Sequence, residues 1–252
     1  MQSFRSLLFN IGFFSWSTLI VFVVAFLLPF PRRITQGVIR QWMHGTMWLL
    51  KTTVGLRYQV IGLENVPPGA AVFASKHESI WDTAIYYLLD PDPAYIVKKE
   101  LLKIPLYGWT LRKAGHIAID RDGGMSALKQ VVRETRGALA DGRKVVIFPE
   151  GTRSSPSAVG RYQPGVAAIY NDVDCPVLPV ALNSGSFWGR RRFVKRPGMI
   201  TLKILPPMPI GLDRKNFMTE LQERIESESR KLRLKAEADY DIPRVEAPAP
   251  VE

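Results

Sequence analysis

The sequence holds one cysteine, Cys175, and three histidines, His44, His77 and His116. A lone cysteine excludes an intramolecular disulfide and any cysteine-based zinc site, and so few scattered histidines offer no His-rich metal centre. Two phosphate-cradling glycine patterns, G-x-x-x-x-G-K-[ST] and G-x-G-x-x-G, are missing. So is G-x-S-x-G, which removes support for an α/β-hydrolase serine nucleophile. His77-Glu78 begins a zinc-protease pattern that then fails, because Trp81 stands where the second histidine would be needed. No acidic residue occurs from Cys175 to Leu212, and no charge of either sign from Ser6 to Pro31.

What is present is apolar and basic. Of 252 residues, 46% are hydrophobic and 23% charged, a composition that folds and can fill a core. Lys and Arg number 34 against 23 Asp and Glu, a net charge of +11, and such an excess calls for an anionic partner. The run Arg190-Arg191-Arg192 with Lys195-Arg196 suits anionic lipid headgroups or a nucleotide-bearing thioester; as a plain alternative it is a solvated loop. No nucleic acid is expected.

The charge-free stretch predicts a helix over Leu7 to Leu28, ended by Pro29 and Pro31. At 1.5 Å per residue it is roughly 33 Å long, enough for a hydrocarbon core of about 30 Å. No small-residue cleavage site follows; Arg32 and Arg33 come instead, which argues against a cleaved leader. Basic residues after the segment are expected to place its C-terminal side in the cytoplasm. Val38 to Lys51 reads as an amphipathic helix, with Ile39, Trp42, Met43 and Leu50 on one side and Trp48 breaking the pattern. Asn10, Ser17 and Thr18 form a slightly polar stripe on the first helix. Two arrangements stay open: a spanning helix, or a helical hairpin seated in one leaflet. Residues 1–53 are thus expected to be a membrane-associated segment, 54–238 a single α/β domain, and 239–252 a disordered Pro-rich tail.

Within the domain, strands are expected at Leu56–Ile61, Ala70–Ser75, Tyr95–Val97, His116–Ile119, Lys144–Phe148, Val177–Leu182 and Ile200–Leu205. Helices are expected at Ser79–Leu89, Leu106–Ala114, Gly124–Ala140, Val166–Tyr170 and Asp213–Ala238. The alternation predicts an α/β fold, a largely parallel mixed sheet flanked by helices.

Chemistry concentrates where strands end. His77 leaves the second strand, and Asp82 lies in the first turn of the helix that follows. The carboxylate can bond one imidazole nitrogen and leave the other to accept a proton; the bland alternative is a strand-end histidine on a capping carboxylate. Phe148-Pro149-Glu150-Gly151-Thr152-Arg153-Ser154 is a polar turn after a buried strand, where open α/β sheets bind ligands. Arg153 offers a planar fork for phosphate, Gly151 close backbone approach, Thr152 and Ser154 hydroxyls. Glu150 either orients Arg153 or accepts a ligand hydroxyl. A surface turn with a local Glu–Arg pair explains the same residues. Arg121, after the strand ending at Ile119, is a second phosphate ligand or the partner of Asp120. Leu178-Pro179-Val180-Ala181 lines a pocket or is core strand.

Taken in order, His77…Asp82, Gly115–Arg121, Phe148–Ser154 and Leu178–Ala181 resemble the four blocks of the glycerolipid acyltransferases, most closely the bacterial 1-acylglycerol-3-phosphate O-acyltransferases. Lys98-Lys99-Glu100-Leu101 … Pro105-Leu106-Tyr107-Gly108-Trp109 is similar to the stretch that members carry between the first two blocks. The resemblance covers roughly residues 55 to 210. It implies acyl transfer from acyl-CoA or acyl-carrier protein to lysophosphatidic acid at a phospholipid bilayer. By that match His77 is the base and Asp82 its orienter. Arg121, Glu150 and Arg153 fall on positions that engage the glycerol phosphate, beside Gly151 and Thr152. It implies no metal and no bound cofactor. Acyltransfer to another lyso-lipid and non-enzymatic binding of anionic lipid are the competing expectations.

Overall fold

A computed structural model describes residues 1–121 and 123–243. The tail read from the sequence lies, after Pro243, outside the described residues. Seven strands form one sheet: β1 (Leu56–Ile61), β2 (Ala71–Ser75), β3 (Ala94–Lys98), β4 (Ile117–Ile119), β5 (Lys144–Ile147), β6 (Val177–Leu182) and β7 (Gly198–Ile204). Their order is β1-β7-β6-β2-β5-β3-β4. Every neighbouring pair is parallel except β6 and β7. That pair is joined by a connection that holds one short helix, α7 (Ser184–Phe187). The register Ala74↔Ile147 and Ser75↔Val180 brings the carboxyl ends of β2, β5 and β6 level at one end of the sheet. β3 and β4 point the same way.

The period of two decides the layers. Phe73, Val146, Leu178 and Val180 face one side, where they meet Phe9 and Phe13 of α1 (Gln2–Phe26), Ile39 and Met43 of α2 (Arg32–Leu49), and Tyr86 of α3 (Tyr86–Leu89). Val72, Ala74, Val145 and Ile147 face the other side. There they meet Val131 of α5 (Gly124–Ala140), Val166 of α6 (Gly165–Tyr170), and Phe217, Leu221 and Ile225 of α8 (Arg214–Asp239). The connection between β3 and β4 carries α4 (Tyr107–Lys113). Strands β2, β5 and β6 are buried along their whole lengths, as expected of a parallel centre covered twice. The Asp213 side chain caps α8 by accepting from the amides of Lys215 and Asn216.

The helix expected over Ser79–Leu89 does not form. A 3-10 turn at Trp81–Thr83 precedes α3, which is a single turn. The cause is local competition: Asp82 accepts from the amides of Glu78 and Ser79, and the Ser79 hydroxyl accepts from the amide of Trp81. The amphipathic helix begins at Arg32, earlier than Val38, because Pro31 suits an entry position where no amide is needed. It ends in a π-turn, Leu50–Val54, where the Thr52 and Thr53 hydroxyls bond back to Trp48 and Leu49 carbonyls.

α1 is the one described helix long and apolar enough to cross a membrane. It lies along the domain. Ser6, Phe9, Phe13 and Val24 are buried in a stripe down its length. Phe9 and Phe13 pack edge-on against Trp188 at 5.1 and 5.4 Å. The Trp16 indole donates to the Trp42 carbonyl at 3.0 Å, and the Trp42 indole donates to the Ser17 hydroxyl at 2.9 Å. Asn10 accepts from Lys195 at 2.6 Å. Asn10 and Ser17 of the polar stripe therefore face protein, while Thr18 is exposed. The other side of α1 is exposed and apolar, with Leu7, Ile11, Phe14, Phe22 and Phe26, and Trp48 adds to it from α2.

Two glycines of α2 separate packing from propensity. A Cβ on Gly45 would lie 2.6 Å from Trp16 Nε1, whereas one on Gly37 meets nothing within 4 Å. Gly37→Ala is expected to stabilise by about 0.5–1 kcal/mol through helix propensity. Gly45→Ala is expected to destabilise by about 1–3 kcal/mol despite the same gain, because the hairpin must spread. Thermal melts in detergent followed by circular dichroism give both signs.

Candidate active site

The level carboxyl ends of β2, β5 and β6 deliver three turns to one place. β2 runs on into Lys76 and His77. His77 Nδ1 lies 3.2 Å from Asp82 Oδ2. That same oxygen accepts from the amides of Glu78 at 2.6 Å and Ser79 at 2.7 Å. The other oxygen, Oδ1, accepts from the Ser184 hydroxyl at 2.5 Å. Asp82 is fully buried and His77 nearly so. A carboxylate holding four donors is fixed in direction. It selects the tautomer with hydrogen on Nδ1, and Nε2 carries no hydrogen bond among the described residues.

The turn after β5 wraps around the same histidine. The Phe148 ring stacks on the imidazole with centroids 4.0 Å apart and planes 20° apart. Glu150 Oε1 accepts from the His77 amide at 2.9 Å. The Ser154 amide donates to the His77 carbonyl at 2.8 Å. Ring plane and both backbone groups of His77 are thus set by one seven-residue turn. Glu150 is turned inward. Its second oxygen is 3.4 Å from Lys76 Nζ, which is 2.9 Å from Glu226 of α8, and Tyr162 donates to Glu226 at 3.1 Å. Burial pushes the Glu150 carboxyl upward, opposed by the Lys76 ammonium beside it.

The phosphate candidates gather at the rim. Gly151 has φ +69°, a conformation glycine adopts without strain; a Cβ there would press on Gln163 Cγ at 3.2 Å and would lie 3.8 Å from the Arg121 guanidinium carbon, in ordinary contact. Arg121, after β4, is therefore brought beside the turn after β5. Arg153 is half-buried, and burial with the neighbouring charges of Arg190 and Arg191 pulls its guanidinium downward while Asp82 holds it up. Thr152 is exposed. Asp120 takes an ion pair from Lys99 at 3.2 Å. The β6 strand Val177–Leu182 is buried throughout, so Leu178–Ala181 are core.

Comparison with known proteins accords with this arrangement. A family model described as Acyltransferase matches residues 57–183, just over half of the chain. A 1-acyl-sn-glycerol-3-phosphate acyltransferase of Pseudomonas aeruginosa is 36% identical over 231 residues, 90% of this chain and 89% of its own length. The chain belongs to the acyltransferase family. A Chlamydomonas reinhardtii protein of the same name is 29% identical over 78% of this chain and 63% of its own. The crystal structure of the 1-acyl-sn-glycerophosphate acyltransferase from Thermotoga maritima shares the fold, with a TM-score of 0.74 and 24% identity over 94% of this chain and 98% of that one.

The family match spans His77, Asp82, Arg121 and the whole 148–154 turn, and stops at Asn183. Sequence reasoning missed what lies on either side of the pattern. Ser184, at the start of α7, is one residue past the match yet bonds Asp82. Glu78, inside the motif, accepts from the Gly185 amide at 2.9 Å and so pins α7 in place. A Cβ on Gly185 would come within 2.9 Å of the Glu78 side chain and 2.7 Å of Pro156, so only glycine admits this approach. His116, in the second block, is structural. Its Nδ1 accepts from the Tyr95 amide, so Nε2–H donates to the Tyr87 hydroxyl at 2.7 Å, and burial then Arg143 lower it to about 3.

Burial lifts Glu78 to about 8, with Lys76 opposing. From about 4.5 to about 8 the folded state holds a proton that the unfolded state has lost. The stability this proton linkage gives is complete at acid pH and declines as pH rises through that window. Glu78→Gln keeps the acceptor for Gly185 and removes the titration. The difference in unfolding free energy between wild type and variant is expected to move steadily in favour of the variant from pH 5 to 8. Chemical denaturation at a series of pH values measures it.

Proposed function

We propose that the protein transfers a fatty acyl group from acyl-CoA or acyl-carrier protein to the sn-2 hydroxyl of 1-acylglycerol 3-phosphate, giving phosphatidic acid. The observation that carries this reading is a histidine with one nitrogen bound to a buried, four-donor carboxylate and the other unbonded among the described residues, at the end of the sheet where Arg153 follows β5 and Arg121 follows β4, two strands separated by β3. An alcohol has a high pKa and is a poor nucleophile until a base takes its proton. In the proposed step the acceptor oxygen attacks the thioester carbonyl while its proton passes to His77 Nε2. The tetrahedral oxyanion then collapses. The C–S bond breaks, and the leaving thiolate takes the proton back from the imidazolium. Asp82 stabilises that imidazolium and keeps the ring oriented. Arg121 and Arg153 hold the phosphate and so place the hydroxyl, which supplies the positioning part of the rate. Glu150 serves by holding the His77 amide, and its inward carboxyl is spent on that contact and on Lys76. No metal or bound cofactor is required by this scheme.

A lipid acceptor and a long-chain product fit a membrane-seated enzyme. Because α1 is buried along one stripe and exposed along an apolar one, we infer that the α1–α2 hairpin rests in one leaflet of the inner membrane with the domain in the cytoplasm.

His77→Ala is expected to lower kcat by at least about 100- to 10,000-fold, the range of general-base catalysis, while the far-UV spectrum stays native. Near-normal turnover would remove the base from His77. Arg153→Ala is expected to raise the acceptor KM by about 10- to 100-fold, the range for a hydrogen bond to a charged group, with little change in the donor KM. Assays of purified enzyme with labelled donor and a panel of lyso-acceptors read both, and equal shifts in the two KM values would refute the phosphate grip.

A further inference from the structure

We propose that the segment 189–196 is a docking surface for anionic phospholipid headgroups that joins the apolar face of α1 to the mouth of the active site. This rests on the membrane-seated enzyme proposed above and adds a lipid-composition dependence to it. The segment is tied at both ends. At one end Lys195, buried, donates to Asn10 of α1 at 2.6 Å and to the Phe193 carbonyl at 3.0 Å, and its ammonium lies 5.7 Å from the ring centres of Phe9 and Trp188. The Lys195 amide donates to the Ser6 hydroxyl at 3.0 Å. At the other end Arg190 donates to the Arg153 carbonyl at 3.1 Å. The segment therefore bridges the helix with the exposed apolar stripe and the turn that carries the phosphate-gripping arginine.

Its chemistry suits the interface level of a bilayer. Arg190, Arg191 and Arg192 are exposed, and none is in an ion pair among the described residues. The sequence supplies no acid anywhere from Cys175 to Leu212 to balance them. Phe193, next in line, is 52% exposed, and its carbonyl is the one that Asn10 and Lys195 of the α1 contact hold. An aromatic ring beside unpaired guanidinia is the pattern of a surface whose ring enters the headgroup layer while the cations meet phosphate. Continuity with the α1 stripe commits the occupant to an anionic bilayer surface. A free nucleotide thioester would need no such continuity.

The test uses the full-length protein and spares Arg190, which touches the site. Binding is measured to vesicles of phosphatidylcholine alone and of phosphatidylcholine with phosphatidylglycerol. Each arginine near an anionic surface contributes about a fivefold gain in partitioning, so R191A/R192A is expected to bind the anionic vesicles about 25-fold more weakly and the neutral ones unchanged. R191K/R192K is expected to retain binding, because the attraction follows charge. Raising salt should narrow the gap between wild type and the alanine variant. In neutral detergent micelles R192A, which removes a charge not among those beside Arg153, should keep both KM values. Equal binding of wild type and R191A/R192A to anionic vesicles overturns the proposal. A raised donor KM in micelles with unchanged vesicle binding also overturns it and assigns the segment to the acyl donor. Absence of acyl transfer by wild type in micelles would sink the proposed reaction, and the vesicle measurement would still decide the surface.

Discussion

Everything at the site depends on how His77 is held. An imidazole at a strand end has a free χ1, a free χ2 and two tautomers, and each freedom dilutes a base. Here each is removed by a separate contact. Asp82 Oδ2 fixes Nδ1, the Phe148 ring fixes the plane, and Glu150 with Ser154 fixes the backbone on both sides. The turn after β5 thus acts on the residue after β2, and it can do so because Ala74 pairs with Ile147 in a parallel register. A slip of one residue would turn the whole 148–154 segment to the opposite face. Sheet register is therefore the constraint from which the geometry around His77 follows.

The same logic explains a costly choice in the core. Lys76, Glu150 and Glu226 bury three charges beside the site. Such groups contribute little net stability, since desolvation offsets their attraction, and apolar replacements of similar size often serve stability better. What the network supplies is direction. Lys76 sits between carboxylates from the β5 turn and from α8, and the Glu150 oxygen left over points at the His77 amide. An apolar residue at 76 would leave Glu150 free to turn outward, and the amide of His77 would lose its partner.

Much of this was legible in the sequence where the signal was local. The run Lys144–Phe148 announces a buried strand, and the order of the four blocks marks which strand ends carry chemistry. The convergence of His77, Asp82, Arg121, Gly151 and Arg153 follows once the sheet is parallel, because parallel strands bring their carboxyl ends together. The helix read over Ser79–Leu89 was wrong for a reason also present locally: Ser79 and Asp82 bond nearby amides and break the ladder that their apolar neighbours would support. Ser184 and Glu78 were not legible. Their contacts reach across 102 and 107 residues, to Asp82 and to Gly185, and no periodicity or spacing encodes a bond over that distance. Glu150 was legible as a site residue but not in its direction, because composition cannot tell an outward carboxylate from one claimed by a buried lysine.

Burial of the polar machinery and exposure of the apolar helix are two sides of one demand. In the proposed reaction the base must be shielded so that water does not compete with the acceptor alcohol for the thioester, and Asp82 and His77 are buried against α7 and the 148–154 turn. A lipid acceptor, however, cannot diffuse to a shielded site through water without exposing its own chain. The enzyme resolves this if the site opens at bilayer level, so that the phosphate end slides from headgroup cations to Arg153 while the chain stays in hydrocarbon. α1 and the 189–196 segment are joined to each other through Lys195 and to the site through Arg190. On the proposed function, detaching either would leave the His77–Asp82 pair intact and the lipid acceptor on the wrong side of a desolvation barrier.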